Sequence, residues 1–220
     1  MEWPQWLQGG PFLEVSFLLG LKKEKAETIQ EITEKFSNMK SKIEIVDINI
    51  SEITDFFDRG YPYDENNTSS LRLHSLRLRL YVYMSRKRKA TLQIEVVSSN
   101  ALLVNFWFYG DELDESEWGQ IGIKREEYDE FVGFLKELYS VYKFKIGGIA
   151  IEENVLGLFR ISEIYPNELY RYEKIHPENL LEQLSPFTHI IWNEKYKKLD
   201  HITDIYSRLD NDGILIENRL

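Results

Sequence analysis

The pattern of hydrophobic and polar positions predicts a strand, a helix and a strand over the first 50 residues. Residues 12–19 are almost continuously apolar, which is typical of a strand that is covered on both faces. Across residues 22–39, apolar side chains recur every three or four positions, as they do on the buried face of an amphipathic helix. Residues 43–50 return to β-branched side chains. This order predicts a βαβ unit with a right-handed crossover.

A three-stranded meander is predicted in the middle of the chain. Apolar side chains occupy every second position in three segments, as expected of half-buried antiparallel strands. The segments are residues 76–83, 92–96 and 102–108.

Pleat parity predicts how the meander strands align. Leu80 is expected beside Ile94, and Ile94 beside Val104, on the face that packs against the core. On the opposite face, Arg79 is expected across from Glu95. Such an exposed pair contributes only about 0.2–1 kcal/mol, so it affects the register more than the stability.

The second half of the chain predicts one more long helix and several shorter elements. Residues 124–142 carry an apolar stripe at helical spacing, and acids cluster in the first turns, where the helix dipole favours negative charge. A strand is expected at residues 145–151. The tail is expected to contain two short helices, a strand and a terminal hairpin, at residues 166–172, 177–184, 188–192 and 205–216.

Together these elements predict an α+β fold with a mixed, mostly antiparallel sheet. The sheet combines the N-terminal βαβ unit with the three-stranded meander, and two principal helices pack on one of its faces. Residues 1–157 are expected to form this main α+β domain. Residues 158–220 are expected to form a small C-terminal α/β extension or subdomain packed on it.

Composition indicates a folded globular protein and excludes chemistry that depends on cysteine. Hydrophobic residues make up 43% and aromatic residues 14% of the 220 positions, enough for a packed core. The absence of cysteine excludes disulfides, cysteine-ligated metals and thiol nucleophiles. The N-terminus does not resemble a secretory signal, and no apolar run approaches the roughly 20 residues of a membrane-spanning helix. A cytoplasmic protein that does not contact a membrane is therefore expected.

The net charge of -10 is distributed unevenly along the chain. Residues 1–110 hold 14 Lys/Arg and 14 Asp/Glu, whereas residues 111–220 hold 13 and 23. Residues 66–94 carry seven cations and no acid, and residues 111–130 carry nine acids against two cations. Two interpretations are open: the two stretches neutralise each other in the fold, or they face different partners.

No motif predicts a catalytic centre, a metal site or a cofactor. The histidines, His74, His176, His189 and His201, show no spacing typical of metal ligands. Nucleophile elbows and glycine-rich phosphate loops are also absent from the sequence. No catalytic residue, metal or cofactor is therefore expected. A hydrolase of an unrecognised family, using carboxylates with His189 or His201, stays open as an alternative.

The acidic segment after the meander is the first candidate binding site. Its carboxylates surround a tryptophan, and a combination of aromatic anchors and charge suits a surface that binds a basic protein. The candidate residues are Asp111, Glu112, Asp114, Glu115, Glu117 and Trp118. The favoured hypothesis is a non-enzymatic, acidic protein-binding module that resembles immunity or antitoxin proteins in charge and size and inhibits a basic partner.

The polar face of the meander is the second candidate binding site. Cations beside aromatic rings on a sheet can neutralise phosphates and stack bases, which makes RNA or single-stranded DNA the alternative ligand. The net charge of -10 opposes that alternative at long range. The candidate residues are Arg77, Arg79, Tyr81, Tyr83 and Trp107. Neither the identity of a partner nor the oligomeric state follows from the sequence.

Overall fold

One large β-sheet supports the fold, and the computed structural model describes residues 6–21, 24–46, 50–67, 69–159, 166–176, 186–199 and 205–218. Within them the helices are α1 (Lys25–Glu34), α2 (Ile50–Arg59) and α3 (Tyr128–Tyr142). The strands are β1 (Phe12–Gly20), β2 (Ile43–Ile45), β3 (Tyr61–Pro62), β4 (Arg72–Leu73), β5 (Ser75–Tyr83), β6 (Lys87–Ser98), β7 (Ala101–Tyr109), β8 (Ile146–Ile151), β9 (His189–Asn193), β10 (Ile205–Arg208) and β11 (Gly213–Glu217).

Nine of the described strands form a single sheet in the order β10-β11-β9-β8-β1-β7-β6-β5-β2. All of its pairings are antiparallel, and β3 and β4 pair separately as a small second sheet. The α+β class and the mostly antiparallel sheet are therefore confirmed. More of the described residues lie in strands than in helices.

The predicted βαβ unit needs correction, because β1 and β2 are not neighbours. Three strands, β7, β6 and β5, lie between them. β1 pairs along all nine of its residues with β7, whereas β2 is only three residues long and pairs with β5. Four antiparallel pairings separate β1 from β2, so the two strands run in the same direction. The connection through α1 therefore crosses all three strands of the meander.

The meander is present as β5, β6 and β7, but the predicted register is only partly right. Ile94 lies opposite Val104 as expected. Leu80 lies opposite Ala90, and Arg79 opposite Thr91 rather than Glu95. Each side chain lies on the predicted face of the sheet, because that face follows from the alternation of residues along a single strand. The offset between β5 and β6 is decided instead by a tight turn that pairs Tyr83 with Lys87.

All three helices pack on one face of the sheet and bury its main core. Ile32 of α1, Phe57 of α2 and Leu135 of α3 belong to the same buried cluster. The Tyr142 hydroxyl donates to the carbonyl oxygen of Ile32 at 2.6 Å and so joins α3 to α1. α2 is a ten-residue helix that the sequence analysis did not predict as a principal helix.

The opposite face of the sheet is covered at one end by C-terminal residues. A second buried cluster joins Leu18 and Leu103 to Leu158, Tyr170 and Phe187. β9, β11 and β10 extend the main sheet beyond β8, so the C-terminal region contributes strands to it. The boundary between residues 157 and 158 stays a prediction. The helix predicted at residues 177–184 lies outside the described residues, and the one at 166–172 is replaced by two short 3-10 turns, Glu168–Tyr170 and Tyr172–Lys174.

The predicted C-terminal hairpin is present as β10 and β11, and residues 210–212 form its turn. Asn211 and Asp212 have the positive φ angles of 59° and 61°. Gly213 is required for another reason, since a Cβ at this position would overlap the ring of Tyr139. None of the helices in the described residues combines the length and apolar character needed to cross a bilayer.

Candidate functional site

The basic and acidic stretches of the sequence meet in the fold. The guanidinium of Arg86 lies 2.8 Å from the carboxylate of Glu127 and 3.5 Å from that of Asp114. Arg88 lies 2.9 Å from the same Glu127 carboxylate. The turn between β5 and β6 therefore docks on the start of α3, and the first of the two charge interpretations accounts for these residues.

Arg88 is the most buried cation of this contact. Its side chain is 2% exposed and donates to the carbonyl oxygens of Ile121 and Gly122 at 3.1 and 2.9 Å. Burial lowers the pKa of Arg88, and the charge of Glu127 opposes that effect. The pKa of Glu127 lies below its ordinary value: burial raises it, but the Lys124 backbone N–H and the Arg88 guanidinium outweigh burial.

The acidic segment forms a loop, residues 111–120, that is fastened to the body of the protein. Glu115 and Gln120 exchange two backbone hydrogen bonds of 2.9 Å, which close a turn over residues 116–119 within the loop. The side-chain amide of Gln120 donates to the carbonyl oxygen of Gln8 at 3.0 Å. On the other side, the Lys89 ammonium donates to the carbonyl oxygen of Trp118. The 111–120 loop is thus held by the N-terminal segment and by β6.

Two apolar side chains protrude from the 111–120 loop. Leu113 is 76% exposed and Trp118 is 41% exposed. No hydrogen bond or ion pair with a described residue involves the side chains of Glu112 and Glu117, which are both exposed beside them. The loop therefore presents an apolar pair flanked by two carboxylates.

The other predicted acids of the loop contribute mainly to its internal structure. Asp111 accepts from the Leu113 backbone N–H at 3.0 Å, and Asp114 from that of Gly122 at 2.9 Å. Glu115 accepts from the Glu117 backbone N–H at 3.3 Å. Leu113 was not among the predicted site residues. The signal available was an isolated leucine within a run of acids.

The predicted sheet-face residues lie together, and their rings already carry cations of the same chain. Arg77 lies 4.7 Å from the Trp107 ring centroid, and Lys87 lies 3.6 Å from that of Tyr81. Further contacts of 4.9 to 5.8 Å join Lys42 to Tyr83, Lys87 to Tyr83, Lys89 to Trp6, and Arg79 to Trp6. A nucleic-acid base would have to displace these cations in order to stack. The nucleic-acid alternative stays a prediction.

Beside these rings the sheet face contains buried polar groups that were not among the predicted site residues. Asn105 is fully buried and donates from Nδ2 to the Glu14 carboxylate. Its Oδ1 atom makes no hydrogen bond in the described structure, and the indole N–H of Trp107, which also faces Glu14, makes none of normal geometry. Glu95, two strands away from Glu14, is 6% exposed, and burial raises its pKa to about 7. Glu14 was hidden from sequence reasoning because it interrupts an apolar run.

The histidines are dispersed over the described structure. Nδ1 of the half-buried His189 lies 3.3 Å from the Thr188 hydroxyl, and burial lowers the pKa of His189. His201 and its neighbour Asp204 lie outside the described residues. Within the described ranges, no three histidine or carboxylate side chains converge as metal ligands would.

An open cleft lies between α3 and the turn of β5 and β6. Its lining includes Lys40, Glu130, Lys136 and Glu137, with no histidine among the described lining residues. Glu137 is used structurally, because its carboxylate accepts from the backbone N–H groups of Lys40 and Ser41. The arrangement expected for the hydrolase alternative, a histidine with two carboxylates, is thus not found in this cleft, and the alternative stays a prediction.

Comparison of the chain with protein-family models, with curated proteins and with solved structures finds no match. The functional argument therefore depends on the geometry described above.

Proposed function

We propose that the protein is a non-enzymatic protein-binding module whose 111–120 loop docks on a basic partner, as an immunity-like or antitoxin-like inhibitor does. The observation that supports this most directly is the exposure of Leu113 and Trp118, 76% and 41%, on a loop that hydrogen bonds hold to the N-terminal segment and to β6. Burying a large apolar side chain contributes about 1.5–3 kcal/mol. A loop that is already ordered avoids part of the entropy cost of binding.

The charges around the two anchors indicate the chemistry of the partner. Glu112 and Glu117 are exposed, and neither forms an ion pair with a cation among the described residues. Asp114, by contrast, is partly neutralised by Arg86. We therefore expect a partner surface with an apolar pocket at its centre and Lys or Arg side chains at its rim. Charges of this kind accelerate association and select the partner more than they increase affinity.

Binding to basic proteins encoded next to this gene tests the proposal. Trp118→Ala and Leu113→Ser are each expected to weaken such binding at least tenfold in titration calorimetry, because each removes a buried anchor. Added salt is expected to weaken binding by the wild-type chain, since it screens the attraction between opposite charges.

Leu169→Ser provides a matched control, because Leu169 is 47% exposed on a different part of the surface. This variant is expected to bind like the wild type. Unchanged affinity of both anchor variants would contradict the proposed loop site. The immunity-like proposal fails if none of the neighbouring gene products binds.

A further inference from the structure

The outer edge of β10 is open to pairing with another strand. Among the described residues β10 pairs only with β11, and all four of its residues are exposed. Ile205 and Tyr206 are 41% and 47% exposed. Natural edge strands are often protected by proline, by a bulge or by several lysines. β10 has no proline or lysine, and its register with β11 is regular.

The hydrogen bonds to β11 determine which backbone groups of β10 face outward. The backbone N–H of Leu209 donates to the carbonyl oxygen of Gly213 at 2.8 Å, so these two residues form a hydrogen-bonded pair. Hydrogen-bonded and non-hydrogen-bonded pairs alternate along an antiparallel ladder. Ser207 and Ile205 therefore bond to β11, whereas Tyr206 and Arg208 direct their N–H and C=O groups towards the open edge.

We propose that this edge pairs with the β10 edge of a second copy of the chain, antiparallel, around a two-fold axis at Ser207. In this register the outward-facing Tyr206 of each copy lies opposite the outward-facing Arg208 of the other. The two pairs supply four backbone hydrogen bonds, and every outward N–H and C=O group of β10 gains a partner.

The side chains of the segment are complementary to themselves in the same register. Arg208 pairs through Nη1 with Glu194 of its own chain at 2.8 Å, and its side chain is 68% exposed. The exposed face of this guanidinium meets Tyr206 from the other copy in a favourable cation–π pair. Ile205 meets Leu209, which packs at the margin of the helix-face core, so a second copy extends that core. Ser207 meets its own counterpart at the axis. This self-complementarity, at the register that the backbone requires, is the reason for naming a second copy as the occupant.

The geometry also limits the size and strength of the assembly. Pairing the two β10 strands consumes both of these edges, so the contact closes at a dimer. The contact is short, and two chains of net charge -10 repel each other. We therefore expect a weak dimer, with a dissociation constant in the micromolar range or higher, that salt strengthens by screening. This salt response is opposite to that expected for binding of a basic partner.

Sedimentation equilibrium of the full chain at low and high salt tests the dimer without any partner protein, so its outcome is independent of the proposed function. Tyr206→Pro is expected to shift the chain to monomer, because it removes an outward N–H and leaves the bonds to β11 in place. A wild type that remains monomeric at the highest soluble concentration in both salts overturns the proposal.

Cross-linking tests the register and does not require a proline in the strand. The natural chain has no cysteine, so Ser207→Cys introduces a single thiol per copy. At the two-fold axis the facing Cα atoms of a non-hydrogen-bonded pair are about 4.5 Å apart, within the range that a disulfide spans. Oxidation by diamide joins two thiols in one disulfide, and the diamide accepts the two electrons and two protons.

Ile205→Cys is the matched control, since it lies in the same strand and on the same face as Ser207. In the proposed register its two thiols are offset by about 14 Å along the strands, beyond disulfide reach. We expect Ser207→Cys to form a covalent dimer at least tenfold faster than Ile205→Cys. Equal rates for the two variants would overturn the register.

Discussion

Single carboxyl groups on the sheet face are governed by burial more than by ion pairing. Burial raises the pKa of Glu95 to about 7, although a 2.8 Å hydrogen bond from Gln93 and the charge of Arg77 act in the opposite direction. Burial also raises the pKa of Glu14, although Asn105 donates to its carboxylate. Because each pKa is higher in the folded chain than in a solvent-exposed one, folding favours the protonated form of both groups.

Glu95→Gln is therefore expected to change how stability depends on pH. The stabilisation from protonated Glu95 is complete below its ordinary pKa of 4.5 and is lost as the pH rises to about 7. This loss is at most about 3 kcal/mol. The variant keeps an acceptor for Gln93 and has no charge to bury, so its free energy of unfolding should exceed that of the wild type at pH 8. Urea unfolding at several pH values measures the difference.

Glu117→Gln is the matched control for this experiment, because Glu117 is exposed and makes no side-chain contact with a described residue. Its stability should follow the wild-type pH profile. A Glu95→Gln variant that also follows the wild-type profile would contradict the assignment of this titration to Glu95.

At the scale of elements, two arginines share one carboxylate where the β5–β6 turn docks on the start of α3. Glu127 is 13% exposed and contacts both Arg86 and Arg88. A buried ion pair contributes little compared with an apolar replacement, but removal of one partner leaves the other charge buried without compensation. The guanidinium of Arg88 also stacks on the ring of Phe131, 5.3 Å from its centroid, which anchors the turn to the core.

We expect Glu127→Gln to lower the free energy of unfolding by about 2 kcal/mol or more, since Arg88 stays buried without a counter-ion. Glu126→Gln, at the exposed neighbouring position, should change it by less than about 0.5 kcal/mol. Chemical denaturation of both variants at pH 7 provides the comparison. Equal stability of the two variants would show that the carbonyl oxygens of Ile121 and Gly122 alone are sufficient for Arg88.

At the scale of the whole molecule, the two proposed contact surfaces lie at different parts of the sheet. The 111–120 loop is held against β6, and six strand steps separate β6 from β10. At the usual spacing of strands this corresponds to about 29 Å. No described ion pair connects the two regions, so we expect the two binding events to be thermodynamically independent.

If the two sites are independent, a substitution at one site should not change binding at the other. Trp118→Ala should leave the dimerisation constant within about twofold of the wild type, and Tyr206→Pro should do the same for affinity towards the basic partner, since sites this far apart usually behave additively. Sedimentation and calorimetry on both variants provide the four measurements. A large effect of either variant on the other equilibrium would indicate coupling through the sheet.

The sequence predicted the strongly periodic elements well, but it did not show which acids of the 111–120 loop are engaged within the protein. The meander strands, α3 and the β10–β11 hairpin have strong periodic or turn signals and are found near the expected residues. Trp118 is exposed on its loop as the binding hypothesis requires, but Leu113 was overlooked and Asp111 and Asp114 are engaged within the loop. The sequence alone does not distinguish an acidic side chain that fastens its loop from one that faces a partner.

What the sequence determined by itself is the type of the strongly periodic elements and the face of their side chains, because both follow from period and parity between near neighbours in the chain. Only the tertiary structure decided that β1 pairs with β7 rather than β2 and that Arg86 and Arg88 meet Glu127. These outcomes depend on how residues far apart in the chain share one core. Which strands pair depends on the total surface that each possible arrangement buries, and a local sequence pattern does not carry this information.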